Sequence, residues 1–262
     1  MNKYMKFGMP SLLELDSLEQ NVALCRKLGL SFIEINMDLP LFQISDLKAM
    51  RPFSDIELTL HLPEKLNVWD FNDGIREAYL KLLENSIEIA VEKNIKILNM
   101  HMNSGIYVTL PNEKVFLFSK YRHGYLENNR VFADRISKKL SETEITICIE
   151  NTGIYDNDFI FEALQQLLAF DCFKLTWDTG HDYSSGYKDT VYIKEHFDKV
   201  KHLHLHDAIG NKDHLELGEG ELNILDILSE VRDSVERVVI ETKTATGLIQ
   251  SMEYLKERSL IS

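Results

Sequence analysis

Short β-rich runs alternate with longer helical patterns along the whole chain, and no linker interrupts the alternation. The runs that predict strands are 6–10, 32–36, 57–62, 97–101, 146–150, 173–178, 200–206 and 238–241. Strands that alternate with helices in this way pair in parallel and are covered by the helices. Eight such units in about 250 residues have the size of a (β/α)8 barrel.

The same pattern could also form an open, doubly wound sheet. A barrel builds its active site at the carboxyl ends of all its strands, whereas an open sheet builds it at one switch point. The first predicted strand is not followed by the glycine-rich GxGxxG motif of dinucleotide-binding sheets. We therefore predict an α/β protein with the (β/α)8 TIM barrel fold, formed by a single domain over residues 1–262.

Capping residues and apolar stripes predict the helices. Ser17 is a good N-cap for the first helix, which carries Val22 and Cys25 on its apolar face and ends at Gly29. Further helical patterns cover 44–50, 73–93, 159–169, 189–197, 224–235 and 248–258. Residues 102–128 form an unusually long connection before a helix that continues to residue 140, and such connections are usually functional or mobile.

The seventh predicted strand carries a polar motif. In residues 201–207, three histidines alternate with two leucines, and an aspartate follows. The period of two in a strand places His202, His204 and His206 on one face and the leucines on the other. That face is either the solvated side of a half-exposed strand or, if it is buried, a set of ligands for a divalent metal.

Metal-competent side chains end six successive strands. They are His61, His101, Glu150, Asp178, His204 with His206, and Glu241. Intervals of 26 to 49 residues separate them, which is roughly one βα unit each. A single histidine beside a turn is often only a hydrogen-bonded structural residue. Glu150 and Glu241, however, follow strongly apolar runs, where a carboxylate is costly unless it is paired or bound to a cation. His181 and His214 lie just beyond strand ends.

Five short motifs together resemble those of a known family. They are IEN at 149–151, WDTGH at 177–181, HLHD at 204–207, GEG at 218–220 and IET at 240–242. In this order they are similar to the motifs of the xylose isomerase-like TIM barrels, a superfamily of sugar-phosphate isomerases and epimerases that also includes endonuclease IV. The resemblance covers nearly the whole chain. It implies that Glu150, Asp178, His204 and Glu241 bind a metal and that His206 and Asp207 lie at the rim, where substrate arrives.

The endonuclease branch implies further ligands. Its additional zinc-binding histidines match His61, His101, His181 and His214, which with His206 are candidates for substrate binding or a second metal. An aspartate of that branch, two residues before its last histidine, is replaced here by Lys212, with Asp213 displaced by one. Because an ammonium group cannot bind zinc and repels it, this replacement argues against a complete three-metal cluster.

The four ligands implied by the resemblance indicate a function. Three carboxylates and one imidazole suit Mn²⁺ or Mg²⁺ best and also admit Zn²⁺ or Co²⁺. Such a metal would polarise the carbonyl of a hydroxy-ketone or hydroxy-aldehyde and stabilise its enediolate. The resemblance to ketose epimerases assigns the proton transfers to Glu150 and Glu241. We predict a metal-dependent isomerase or epimerase of a small sugar, sugar phosphate or polyol derivative, without an organic cofactor.

Three alternatives remain open for the same barrel. A dehydratase or lyase of the superfamily would use almost the same groups. A metal-dependent phosphodiesterase of the endonuclease IV type is favoured by the additional histidines, and a barrel that binds a metabolite without turning it over is the third. One bound Mn²⁺ per chain supports the isomerase or epimerase, whereas two or three zinc ions with activity on abasic DNA support the phosphodiesterase.

Some further residues have open roles. Glu34 lies on the second predicted strand. Its side chain faces the mouth of the barrel only if the predicted alternation of inward and outward side chains on that strand is correct. Lys243 shares the parity of Glu241 and is a candidate ligand for a carboxylate or phosphate. Aromatic residues in the long loops form either the apolar wall of a sugar site or small local cores. They are Trp69, Phe71, Tyr107, Tyr121 and Tyr125.

Composition limits the partners of the protein. The formal net charge of −13 repels nucleic acid, and no apolar run approaches the roughly 20 residues of a membrane span. Cys25, Cys148 and Cys172 are widely separated, which indicates neither a disulfide framework nor a cysteine zinc site. We expect a cytoplasmic protein that binds a small-molecule substrate, with no nucleic-acid or membrane partner. Association of the chain with copies of itself is left open.

Overall fold

The barrel strands follow the predicted alternation. In the computed structural model, which describes residues 5–261, they are β1 (Lys6–Pro10), β2 (Phe32–Asn36), β3 (Glu57–His61), β4 (Ile97–His101), β5 (Thr146–Glu150), β6 (Phe173–Asp178), β7 (Val200–Leu205) and β8 (Arg237–Ile240). Neighbouring strands pair in parallel all the way round, and β8 pairs with β1. The (β/α)8 TIM barrel is therefore confirmed, and the open sheet is excluded because it would leave two unpaired edges. The predicted domain bounds, residues 1 and 262, lie outside the described residues.

Helices separate the strands. Their bounds are Leu18–Leu28, Ile44–Ala49, Asp73–Glu92, Leu117–Lys120, Arg122–Leu140, Asp158–Leu168, Thr179–Ser184, Thr190–Glu195, Ile224–Glu230 and Ala245–Glu257, with 3₁₀ turns at Pro40–Phe42 and Phe197–Lys199. The first helix begins and ends as predicted, because the Ser17 hydroxyl accepts the Gln20 N–H and Gly29 adopts a φ of 73°. Within residues 5–261, no helix combines the length and the apolarity that crossing a bilayer requires.

The long connection after β4 is more ordered than predicted. It contains a hairpin, Tyr107–Thr109 with Lys114–Phe116, and the following helix begins at Arg122 rather than near residue 128. The predicted start is wrong because the buried stripe of this helix, which includes Phe132, continues back to Tyr125. The Arg122 guanidinium also forms ion pairs with carboxylates of the next helix.

Two further elements are absent from the sequence-based prediction. A hairpin of Asp207–Ile209 and Lys212–Leu215 replaces the polar loop expected after β7, so that His214 lies on a strand. The short helix Thr179–Ser184 follows β6 directly, because the Asp178 carboxylate caps it by accepting a backbone N–H. Both elements lie at the carboxyl end of the barrel and position histidines of the predicted site.

The barrel interior is polar towards its carboxyl end. On β7, Leu203 and Leu205 belong to the hydrophobic core, while His202 and His204 contact an interior carboxylate, as the predicted parity requires. One interior layer consists of Glu34, Thr59, Asn99, Thr176 and His202, all of which are buried. The strand-end histidines and carboxylates lie above this layer. Branched apolar side chains fill most TIM barrels, so a polar interior marks this end as a site.

Candidate functional site

Four predicted ligands meet at the carboxyl end of the barrel. Glu150 ends β5, Asp178 ends β6, His204 lies on β7 and Glu241 follows β8. One ligand atom of each lies within 4.8 Å of the others. His204 Nδ1 lies 2.8 Å from Glu241 Oε2, 3.4 Å from Glu150 Oε2 and 3.7 Å from Asp178 Oδ2. Barrel closure thus joins side chains that are far apart in the sequence.

Several buried atoms of this cluster lack hydrogen-bond partners within residues 5–261. His204 Nδ1 and Glu241 Oε2 make no hydrogen bond of standard geometry, and neither do His101 Nε2 and His181 Nδ1 beside them. Unpartnered buried polar atoms are costly, and a divalent cation would bind them. Carboxylate oxygens and an imidazole nitrogen are ligands that Mn²⁺, Mg²⁺ and Zn²⁺ accept. The residues present therefore fit a metal ion.

Charge interactions keep the two glutamates ionised. Burial alone would raise the pKa of Glu150, but His101 and His204 outweigh it and hold that pKa well below its usual range. Burial acts on Glu241 in the same way, and His204 with Lys243 lowers its pKa well below the usual value. Against burial, Glu150 and Glu241 raise the pKa of His204 well above its usual value. A proton on His204 therefore neutralises part of the cluster, a role that a cation would take over.

Two asparagines that the sequence-based prediction did not single out hold the carboxylates in place. Asn99 Nδ2 donates to Glu150 Oε2, and Asn99 Oδ1 accepts a 2.5 Å hydrogen bond from the Thr176 hydroxyl. Asn151 accepts the Asp178 N–H at 2.7 Å and donates to the Asp178 carbonyl at 2.9 Å. The sequence does contain a signal for both residues. Asn99 lies two positions before His101 on β4 and so points to the same inner face, and Asn151 belongs to the IEN motif.

His61 and His101 lie beside Glu150, as their strand-end positions predict. Their Nε2 atoms are 3.5 Å and 3.1 Å from Glu150 Oε2. His61 Nδ1 lies 2.9 Å from the Leu62 carbonyl, which can only accept, so Nδ1 carries a proton and Nε2 faces the site. Burial lowers the pKa of His61, but Glu150 and Glu34 raise it to about 9. His61, His101 and Glu150 form a second group that could hold a cation.

Three more predicted histidines form a third group, next to Asp178. Ligand atoms of His181, His206 and His214 lie within 4.8 Å of one another. His206 is fully buried rather than at the rim, because its Nε2 lies 3.1 Å from Asp178 Oδ1 and its Nδ1 accepts the His214 N–H at 2.7 Å. A Cβ at Gly180 would lie 1.9 Å from the His206 ring. The glycine of the WDTGH motif thus makes room for His206.

The displaced aspartate of this third group still reaches it. Asp213 Oδ1 lies 2.9 Å from His214 Nδ1, and Asp213 Oδ2 lies 4.0 Å from His181 Nε2. Lys212, which occupies the position of the missing aspartate, is exposed on the hairpin. The shift of one residue therefore keeps a carboxylate beside the histidines, although the matching position itself carries an ammonium group.

Asp207 is buried instead of lying at the rim, and it organises the GEG loop. Its Oδ1 accepts the N–H groups of Ala208 and Leu222, and its Oδ2 accepts that of Gly218, at 2.9 to 3.0 Å. A Cβ at Gly220 would lie 2.2 Å from Asp207 Oδ1. Hydrogen bonds thus join the HLHD and GEG motifs, and both oxygens of the Asp207 carboxylate accept backbone N–H groups of the protein itself.

A cavity of about 390 Å³ opens over the cluster. The predicted residues that line it are His61, His101, Glu150, His181, His214 and Glu241. Asp178, His204 and His206 are fully buried and do not line it. Leu12, Leu13 and Leu39 form an apolar wall. The volume and the mixed lining suit a small, polyhydroxylated molecule.

The loop aromatics do not form a wall of this cavity. None of Trp69, Phe71, Tyr107, Tyr121 and Tyr125 lines it. The Trp69 indole is fully buried and donates to Asn129 Oδ1 at 2.7 Å. Tyr125 is fully buried as well, and its ring stacks on Phe118. Trp69 and Tyr125 thus belong to the hydrophobic core, whereas Phe71, Tyr107 and Tyr121 are exposed.

Glu34 and Lys243 both face the cavity. Glu34 keeps the inward parity of β2 and is 3% exposed. Lys243 Nζ lies 2.7 Å from Glu241 Oε1. Among the described residues that line the cavity, Lys243 is the sole lysine or arginine. Its ammonium group is already paired with a carboxylate.

Comparison with known proteins gives a match over most of the chain. A family model described as a xylose isomerase-like TIM barrel matches residues 22–258. An uncharacterized protein of Methanocaldococcus jannaschii is 25% identical over 268 residues, which cover 97% of this chain and 99% of that protein. The matched region runs from the first helix to the last.

Solved structures share the fold over nearly the whole chain. A D-tagatose 3-epimerase-like protein has a TM-score of 0.75 at 24% identity, with 98% of this chain and 97% of that chain covered. The IOLI protein with a binding zinc atom has a TM-score of 0.73 at 14% identity, with 98% and 97% covered. Other similar structures are sugar epimerases and a probable 3-DHS dehydratase. At these identities the likeness establishes the fold alone.

Proposed function

The chain belongs to the xylose isomerase-like TIM barrel family, and we propose that it is a metal-dependent isomerase or epimerase of a small sugar, sugar phosphate or polyol derivative. The buried cluster of Glu150, Asp178, His204 and Glu241 next to a cavity of about 390 Å³ carries this proposal. Similar folds named as sugar epimerases, and one with a zinc atom, support it.

The metal would be held by carboxylate oxygens of Glu150, Asp178 and Glu241 and by Nδ1 of His204. Mn²⁺ or Mg²⁺ suits three carboxylates best, and the same ligands accept Zn²⁺ or Co²⁺. A bound cation would polarise the substrate carbonyl and make the neighbouring C–H more acidic.

Glu150 and Glu241 perform the proton transfers in this proposal. They come from different strands, both line the cavity, and both have lowered pKa values that keep them ionised at neutral pH. One carboxylate removes the proton beside the carbonyl and later returns it to solvent, while the other takes up a proton from solvent and delivers it to carbon. Delivery to the opposite face of the same carbon gives the epimer. Delivery to the carbonyl carbon, with transfer of the hydroxyl proton to the carbonyl oxygen, gives the isomer. General acid–base catalysis of this kind is typically worth about 10²–10⁴-fold.

Solvent deuterium incorporation tests the proposal. The protein is stripped with a chelator, reloaded with Mn²⁺ and incubated in D₂O with a panel of ketoses and oxidised polyols. We expect deuterium at the carbon beside the carbonyl of one compound or of a closely related set, and no exchange by the stripped protein. If no compound exchanges with Mn²⁺, Mg²⁺, Zn²⁺ or Co²⁺, the proposal is wrong. Loss of water from a compound of the panel would instead indicate the dehydratase or lyase.

A metal-dependent phosphodiesterase of the endonuclease IV type is the second candidate. The groups around His61 with His101 and around His181 with His214 favour it, since each could hold an additional cation. Lys212 at the position of a ligand and the net charge of −13 oppose it. Metal content separates the two: one Mn²⁺ per chain supports the epimerase or isomerase, and two or three zinc ions with cleavage of abasic DNA support the phosphodiesterase.

A further inference from the structure

Glu34 lies inside the barrel directly behind the histidine of the proposed metal site. It belongs to β2, across the barrel from β7, and only 3% of its surface is exposed. A carboxylate in such a place is strongly destabilised unless charges and hydrogen bonds surround it. Packing alone therefore does not account for a carboxylate at this position.

Every described contact of the Glu34 carboxylate is with a group that stabilises a negative charge. Its Oε2 accepts a hydrogen bond from the Thr59 hydroxyl at 2.9 Å and lies 2.8 Å from His202 Nε2. Its Oε1 lies 2.8 Å from Nε2 of His204, within the range of a charge-assisted hydrogen bond although the contact lacks ideal alignment.

His202 and His204 contact different oxygens of the Glu34 carboxylate. His202 Nε2 lies 2.8 Å from Glu34 Oε2, and because a carboxylate can only accept, this ring nitrogen carries the proton that is donated to Glu34. His204 spans the space between Glu34 and the cluster, since its Nε2 faces Glu34 Oε1 and its Nδ1 faces Glu241 Oε2 at 2.8 Å. The negative charge of Glu34 thus lies on the side of the His204 ring that points away from the other ligands.

We propose that Glu34 is a positioning residue of the metal centre: it keeps a proton on His204 Nε2 and thereby directs the Nδ1 lone pair towards Glu150, Asp178 and Glu241. Metal-bound histidines generally donate their second ring N–H to such a carboxylate or carbonyl, which fixes the ring and strengthens the ligand. His202 and Thr59 hold Glu34 in turn. The inference rests on the proposed metal site and adds to it a residue that acts through His204 rather than binding the metal.

Titration with Co²⁺, followed by its visible absorption, tests this role without any assay of turnover. In Glu34→Gln the side chain keeps its size and loses its charge. Removal of a carboxylate behind a metal-binding histidine typically weakens the affinity by about 10- to 100-fold, and we expect a weakening of that size together with a changed spectrum. Glu34→Asp, which restores the charge on a shorter side chain, should recover part of the affinity.

Glu57→Gln is the matched control. Glu57 is also a strand carboxylate with two cationic partners, Lys6 and Arg237, but it lies at the opposite end of the barrel and is exposed. Because distant sites act nearly independently, its Co²⁺ affinity should stay within about 2-fold of the wild type. Equal affinities of Glu34→Gln and the wild type would overturn the positioning role and leave the metal site intact. A wild type that binds no Co²⁺ would overturn the proposed function together with the inference.

If Glu34→Gln does not fold, nitrogen-15 NMR of the Zn²⁺-loaded wild type tests whether His204 carries its proton on Nε2. Histidine-labelled protein is compared with His204→Gln to assign the ring nitrogens of His204. We expect a directly bonded proton on Nε2 and none on Nδ1. A proton on Nδ1 with an unprotonated Nε2 would contradict the proposed role of Glu34.

Discussion

The two ends of the barrel carry similar kinds of side chains in opposite environments. At the amino end, a cavity of about 650 Å³ is lined by Lys6, Glu57 and Arg237. Lys6 and Glu57 form an ion pair with side chains 44% and 45% exposed, and Arg237 lies 2.8 Å from Glu57. At the carboxyl end, the cavity is smaller, at about 390 Å³. Glu34, His61, Glu150 and Glu241 of its lining are buried, and several side-chain atoms of the site have no partner among residues 5–261.

The difference shows that the chemistry of a cavity locates a site better than its volume. Exposed ion pairs such as those of the amino end are hydrated, already matched in charge and worth about 0–1 kcal/mol each. The carboxyl-end groups have been removed from water without complete pairing, which is stable only if another charge compensates them. The proposed cation would satisfy that requirement.

Replacing a carboxylate at the carboxyl end should have the largest effect. Glu150→Gln and Glu241→Gln each remove one ionised group from the cavity, and we expect turnover to fall by at least about 10²–10⁴-fold. The fold should survive, because glutamine has the same shape and one buried charge fewer. Turnover is measured with the substrate found by deuterium exchange, and the fold by circular dichroism. Full activity in either variant would remove the proposed mechanism.

Asp189 extends the comparison to a buried carboxylate at the carboxyl end that forms no ion pair within residues 5–261. Asp189 is fully buried and accepts the N–H groups of Gly153 and Tyr155 at 2.6 and 2.8 Å. Burial raises its pKa from 3.8 to about 6, in contrast to the lowered values of Glu150 and Glu241. The histidines around the cluster, rather than burial, therefore keep the site carboxylates charged.

Asp189 makes the stability of the protein depend on pH in a definite direction. Because its pKa is higher in the folded protein, its contribution is fully present below about pH 4 and is lost as the pH rises through about 6. Two pKa units correspond to about 3 kcal/mol. Relative to the wild type, Asp189→Asn should therefore gain up to that amount of unfolding free energy between acidic and neutral pH. Denaturant titrations that give the same difference at both pH values would contradict this assignment.

The smallest effect is expected at the amino end. Glu57→Gln breaks the ion pairs with Lys6 and Arg237, both of which remain partly hydrated. We expect the free energy of unfolding to change by less than about 1 kcal/mol per pair and turnover to stay unchanged. A loss of turnover comparable with that of Glu150→Gln would mean that the two ends are coupled, and the contrast drawn between them would fail.

Periodicity predicted the fold and the convergence of the site. Every barrel strand lies within one or two residues of its predicted run, because strands of this fold carry dense apolar patterns between capped helices. Parallel pairing then forces residues such as Glu150 and Glu241 to the same end. Their roles as ligands remain predictions, since what the structure shows is their proximity.

Contacts between strands far apart in sequence could not be predicted. Glu34 and His202 are separated by most of the chain, and their 2.8 Å contact depends on barrel closure. The family resemblance implies a rim position for Asp207, but its carboxylate turns inward and accepts backbone N–H groups at and beside the GEG motif. Local patterns carry no information about such long-range hydrogen bonds.

Equilibrium binding of Mn²⁺ to the wild type and to Asp178→Asn tests the metal centre most directly. Asparagine keeps the N-cap of the helix Thr179–Ser184, where the Asp178 carboxylate accepts the His181 N–H, and asparagine caps helices as well as aspartate does. The variant should therefore fold while losing one charged ligand. We predict one Mn²⁺ per wild-type chain by dialysis and elemental analysis, and an affinity at least about 10-fold weaker in the variant. A wild type that retains no divalent metal, or a variant that binds it equally well, would contradict a metal centre formed by Glu150, Asp178, His204 and Glu241.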